Sequence, residues 1–134
     1  MRRWEARREG RHARLCDEAG VTVGWVYDAS LQGLLEAVPV LDHALDRLTL
    51  TGCGPSLEER LMPAWGKGKA TYAPDGVKYV PIMAAGEVVA SIRTTDATKV
   101  CRVPHVRAIL TRVAADERTS EHHRNIALEA LGGL

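Results

Sequence analysis

Apolar residues recur at helical spacing in two long stretches and alternate with polar ones between them. Leu31, Leu34, Leu35, Val38, Leu41, Leu45 and Leu48 fall on one stripe and predict a helix capped by Ser30. Pro39 lies inside that stripe, so the helix either kinks there or breaks, with Pro39 opening a second short helix. Val106, Ile109, Leu110 and Val113 mark a helix begun by Pro104; Ser120 caps a last one carrying Ile126, Ala127 and Leu131, stopped by Gly132 and Gly133. Between these stretches, residues 69–94 read as strands. Pro74-Asp75-Gly76 is a turn, because Pro presets φ, Asp bonds the backbone beyond it and Gly accepts positive φ. A second turn at Ala85-Gly86 completes a three-strand antiparallel meander, with Val80 and Ile82 on one face and Val88, Ala90 and Ile92 on the face of the next strand. Pro81 cannot donate a ladder hydrogen bond, which places its strand at an edge or at a bulge.

The earlier chain is less regular. The first 19 residues permit a helix, Gly20 suits its left-handed cap, and the β-branched and aromatic run VTVGWVY at 21–27 favours a strand. LTLT at 48–51 fits a short strand; Ser56 and Glu59 form a capping box ahead of Leu57, Leu61 and Trp65, in a helix ending near Gly66 or Gly68. The sum is a single α+β domain over 1–134: an antiparallel sheet with a meander at about 69–94, covered by helices, and a basic N-terminal helix or arm at 1–14.

Composition changes this picture little. Hydrophobic residues make up 46% of the chain and charged ones 26%, which suits a folded domain; with no Phe, aliphatic side chains must build the core. The net charge of +1 gives no global pull toward nucleic acid or anionic lipid, but its distribution is uneven. Six arginines against two glutamates give residues 1–14 a charge of +4, so the remainder carries −3. Cys16, Cys53 and Cys101 are an odd number without CxxC spacing, and there is no signal-like or membrane-spanning run; the expectation is a cytoplasmic protein with reduced thiols, without membrane contact. No cofactor motif is present. Glu121, His122 and His123 do not make a metal set, because adjacent helical residues point about 100° apart.

Several local features bear on chemistry. In TGCGPS at 51–56, a helix start would expose N–H groups to an anion at Gly54 and Ser56 and make Cys53 the candidate reactive thiol. Asp42, His43 and Asp46 would lie on the polar side of their helix, and Arg93, Asp96 and Lys99 read as a charged loop after a strand. In LCDEAGVTVGWVY, Cys16, Gly20 and Val26 occupy the small, turn and apolar places of a helix-turn-helix. That stretch resembles the motif of TetR-like and LacI-like repressors, and on this resemblance Thr22, Val23, Trp25 and Tyr27 would face the major groove or its phosphates, with Arg2, Arg3, Arg7, Arg11 and Arg14 reaching the backbone. The stretch VPIMAAGEVVASIRTTD is similar to the closing hairpin of a GAF domain, and it carries over no ligand-binding residue.

Three roles follow. A non-catalytic binding or regulatory module, acting through a protein partner or as a homodimer, accounts for the whole chain. A helix-turn-helix regulator binding nucleic acid accounts for residues 15–30 and the arginines, and a small enzyme would use an anion pocket at 51–56.

Overall fold

A computed structural model describes residues 3–54 and 65–132. The described residues form an antiparallel open sheet of seven strands with five helices, a mixed α+β domain. The strands are β1 (Glu5–Glu9), β2 (His12–Cys16), β3 (Thr22–Val26), β4 (Gly66–Lys67), β5 (Thr71–Tyr72), β6 (Lys78–Ala84) and β7 (Glu87–Arg93). The helices are α1 (Gln32–Glu36), α2 (Val38–Leu50), α3 (Thr94–Cys101), α4 (Val103–Ala115) and α5 (Glu121–Gly132). Across the sheet the order is β1-β2-β3-β7-β6-β4, with β5 also pairing with β6.

The N-terminal segment is a hairpin, where the sequence suggested a basic helix or arm. Gly10, at φ 65°, takes the first place of the two-residue turn between Glu9 and His12. Gly20 is neither a helix cap nor the turn of a helix-turn-helix. At φ 82° it closes the β2–β3 connection, where the Asp17 N–H donates to the Val21 carbonyl at 2.8 Å and the Asp17 carboxylate accepts from the Ala19 and Val21 N–H groups. Residues 22–26 are a strand in the middle of the sheet, so no recognition helix exists there and the repressor geometry is corrected.

The meander over 69–94 forms as β5, β6 and β7. Both turns are in place: Ala73 N–H bonds the Val77 carbonyl, Val77 N–H bonds the Asp75 carboxylate, and Ala85 and Gly86 take φ of 51° and 81°. Pro81 sits where β6 passes from β4 to β5, next to a bulge at Ile82/Met83. The bulge explains one correction: Val88 is 45% exposed, and Val89 is buried instead.

Pro39 breaks the long apolar stripe, as expected; it opens the 13-residue α2, and the short helix is α1 before it. Leu35, Val38, Leu41, Leu45 and Leu48 are all buried. Ser30 does not cap α1; its hydroxyl bonds Asp28, and Leu31 holds the cap position without a side-chain bond. LTLT is not a strand but the last turn of α2. The capping box at Ser56 and its helix lie outside the described residues. The charged TTDATK stretch, read as a loop, is helix α3. In α4, Val106, Ile109 and Leu110 are buried as predicted, and Ser120 accepts from the His123 N–H at 3.2 Å at the start of α5.

The core lies on one face of the sheet. Ladder rungs Ala13–Val26–Ala90–Ile82 and Leu15–Gly24–Ile92–Val80 are buried throughout, and apart from Ala13 and Gly24 they belong to one cluster with the apolar stripes of α2 to α5. Gly24 is required where β3 meets β7: a Cβ there would stand 2.0 Å from the Ser91 carbonyl oxygen.

Candidate functional site

Because side chains alternate across a strand, the rung next to those buried ones points to the other side. It reads Arg7–Arg14–Trp25–Ser91–Pro81, and every member keeps solvent exposure. One step along, Glu9 pairs with His12 and the Tyr27 N–H donates to the Val89 carbonyl, bringing His12 and Tyr27 onto the same side. Among the described residues the helices pack on the core face, so this second face is free of them.

Aromatic rings cluster on it. Trp25 lies against Tyr79 with ring centroids 5.0 Å apart, and the His12 and Tyr27 rings meet edge to face at 6.1 Å. Tyr79 is buried under this arrangement; burial, with the Asp75 carboxylate beside its hydroxyl, pushes its pKa up. It therefore presents a neutral ring that fixes the tilt of Trp25, while Tyr27 stays 45% exposed.

Charge is arranged around the rings. Arg7 and Arg14 stand directly opposite each other across β1 and β2, a like-charge pair that costs stability in an antiparallel ladder. Arg14 reaches Glu9 at 2.8 Å, and Arg7 has no ion-pair partner among the described residues. At the far end Arg93 is held by Asp96 and, at 3.3 Å, by Asp17. Burial would depress the Arg93 pKa, but these carboxylates outweigh it and raise it. For Asp17 burial acts upward, yet the Val21 and Ala19 N–H bonds and Arg93 bring its carboxyl below the usual value.

The edge beside this face is closed to strand addition. Glu36 of α1 accepts the Ala6 N–H at 3.0 Å, occupying an outward donor of β1, and Glu5, Arg7, Arg8 and Glu9 charge the rest of the strand.

Residues named from the sequence thus separate into groups. Arg7, Arg14, Trp25 and Tyr27, nominated as groove contacts, do come together, on a sheet face. Thr22 starts β3, Arg11 is in the hairpin turn, Arg3 precedes β1, and Arg2 lies outside the described residues, as does Ser56. Cys53 and Gly54 follow the C-terminus of α2. Gly52 at φ 83° donates to the Thr49 carbonyl and Cys53 to Leu48 at 2.8 Å, the paired bonds of a glycine helix stop. The Cys53 amide is therefore spent on a carbonyl, and the end of α2 carries the negative pole of its helix. Cys53 lines a cleft of about 240 Å³ with Arg112, Asp116 and Thr119. Asp116 in turn bonds Arg118. Asp42 leaves the polar face it was assigned and pairs with Arg102 at the α3–α4 junction, both side chains being largely buried. His122 and His123 stack loosely at 5.5 Å, and among the described residues no group of three His, Cys, Asp or Glu side chains could hold a metal. Nor is any helix of the described residues long and apolar enough to cross a membrane.

Sequence reasoning missed Tyr79 as the neighbour of Trp25 and Asp17 as a partner of Arg93. Only the β3–β7 pairing of residues far apart in the chain brings them together. Comparison of the chain with protein families, with characterised proteins and with solved structures finds no match.

Proposed function

We propose that this protein is a non-catalytic binding module whose working surface is the aromatic face of the sheet, the side that no described helix covers. The observation that carries this reading is the exposed rung Arg7–Arg14–Trp25–Ser91–Pro81. A sheet face that only meets water is usually lined by small polar and charged side chains in alternation with the buried set. Here it holds Trp25 and Tyr27 together with arginine, residue types enriched where one surface docks on another, beside the apolar ring of Pro81. Among the described residues no nucleophile, base and orienting group are assembled beside them. The rigid ladder beneath keeps the rings in place, so binding there costs little ordering entropy.

The test is radical footprinting of the full chain, read at Trp25 and Tyr27, for purified protein at low concentration and for the same protein at high concentration or mixed with cell extract. Protection of Trp25 and Tyr27 is expected in the concentrated sample or the extract. Equal labelling of both residues in every sample, with protection confined to the helices, would defeat the reading.

A further inference from the structure

The aromatic face points to a particular partner: we infer that it binds single-stranded nucleic acid, with bases stacked on Trp25 and Tyr27 and phosphates along the arginines of the β1–β2 hairpin. This rests on the face being the working surface and adds the chemistry of what it holds.

The first ground is charge. Within residues 3–16, five arginines against two glutamates give the hairpin +3, while the whole chain is +1; by alternation Arg7 and Arg14 share the aromatic face with Glu5 and Glu9, and Arg11 adds its charge at the rim, in the hairpin turn. Arg7 and Arg14 oppose each other in register, and Glu9 answers only Arg14. A phosphate between the two guanidiniums would turn that repulsion into a paired contact of the kind arginine makes best. An anion is the complement this rung lacks.

The second ground is the rings. Trp25 on β3 and Tyr27, which continues its ladder just past the strand's end, are two residues apart and share a face, which sets them about 6.6–6.8 Å apart along the chain, twice the roughly 3.4 Å nucleotide repeat of a stacked strand. Bases taken one per ring must therefore be splayed, as in a single strand and unlike a duplex. Base stacking on aromatic side chains needs no particular sequence, because every base has a π-face. Tyr79 and His12 brace the two outer rings, so the platform is formed before the ligand arrives.

The third ground removes the main alternative. A second copy pairing edge to edge would meet β1 at one edge, where Glu36 holds the Ala6 amide and charged side chains fill the strand, and at the other only the two-residue strands β4 and β5, a short template for pairing. A second copy docking face to face would gather Arg7 and Arg14 of both copies, four arginines, in one interface.

The experiment titrates the full chain with a fluorescein-labelled oligothymidylate at several salt concentrations, beside a duplex and an abasic strand of equal length. Expected are rising anisotropy, quenching of tryptophan emission that disappears in Trp25→Phe, and weaker binding of the duplex and the abasic strand. Trp25→Ala should weaken oligothymidylate about tenfold, and Arg7→Glu, at an exposed position that folding does not need, should lower the salt slope by about 1 or more. Equal affinity for the abasic strand, preference for duplex, or no binding would each overturn the inference. If binding fails and Trp25 is footprinted as covered in the concentrated sample or in extract, the face remains the working surface and the partner is a protein. If Trp25 stays labelled in all samples, both readings fall.

Discussion

The two faces of this sheet are built from neighbouring rungs of the same ladder and meet opposite surroundings. Ala13, Val26, Ala90 and Ile82 are buried beneath the helices, while Arg14, Trp25, Ser91 and Pro81, each one residue away, stay in contact with water. Stability is stored on the first face, where apolar area is removed from water. The second is held rigid by the first, so it can carry like charges and exposed rings that would be a poor choice for a core. A face free to be suboptimal is a face free to bind.

Substitutions can break this contrast, beginning with the largest expected effect. Asp42→Ala, behind the covered face, leaves Arg102 buried without its partner and should cost about 3–5 kcal/mol by urea denaturation. Burial already lowers the Arg102 pKa, and the double variant Asp42→Ala, Arg102→Met should recover much of the loss. Gly24→Ala drives a Cβ into the Ser91 carbonyl and should part β3 from β7 at about 3 kcal/mol; early hydrogen exchange at both strands would show it. A Gly24→Ala protein of normal stability would mean that the two halves of the sheet are less firmly joined than the ladder implies.

Asp17→Asn should cost about 1–2 kcal/mol near neutral pH, through weakened bonds to Val21, Ala19 and Arg93. Its folded pKa is depressed, so the stability it contributes is complete above the unfolded value of about 3.8 and is lost as pH falls through the lower folded value. The gap in denaturation midpoint between Asp17→Asn and the natural chain should therefore be constant above about pH 5 and close below about pH 4. Ala85→Gly should stabilise by about 0.5–1 kcal/mol, since Ala85 holds φ at 51° where a Cβ is unfavourable; a raised melting temperature checks it. Smallest of all, Arg7→Ala on the open face should change stability by no more than about 0.5 kcal/mol, or raise it slightly by relieving Arg14. A large loss there would mean that the open face also carries the fold.

The hairpin that bears this face was the least legible part of the chain. EARRE and HARLC lack the β-branched run that marks a strand, because an edge strand is protected by charge and only one of its faces meets the core. The same arginines that suggested a helix or arm are the means by which β1 avoids pairing with other chains. The meander, by contrast, was readable from Asp75, Gly76 and Gly86, whose turn chemistry acts within a few residues. TTDATK misled for a third reason: Asp96, which looked solvated, is drawn inward by Arg93 at the start of α3.

What the sequence determined by itself is local. Apolar spacing set the buried stripes of α2 and α4, Pro39 broke the first of them, Ser120 capped α5, and the turn residues ended the strands of the meander. Those effects act over a few residues and need no distant partner. Tertiary structure decided the rest: that β3 pairs with β7, that Asp42 meets Arg102, and that Arg7, Arg14, Trp25, Tyr27 and Tyr79 share one surface. These contacts join segments separated by long stretches of chain. The register that aligns them is set by burying the other face, so the open aromatic face is a consequence of the core and is written in no single stretch of residues.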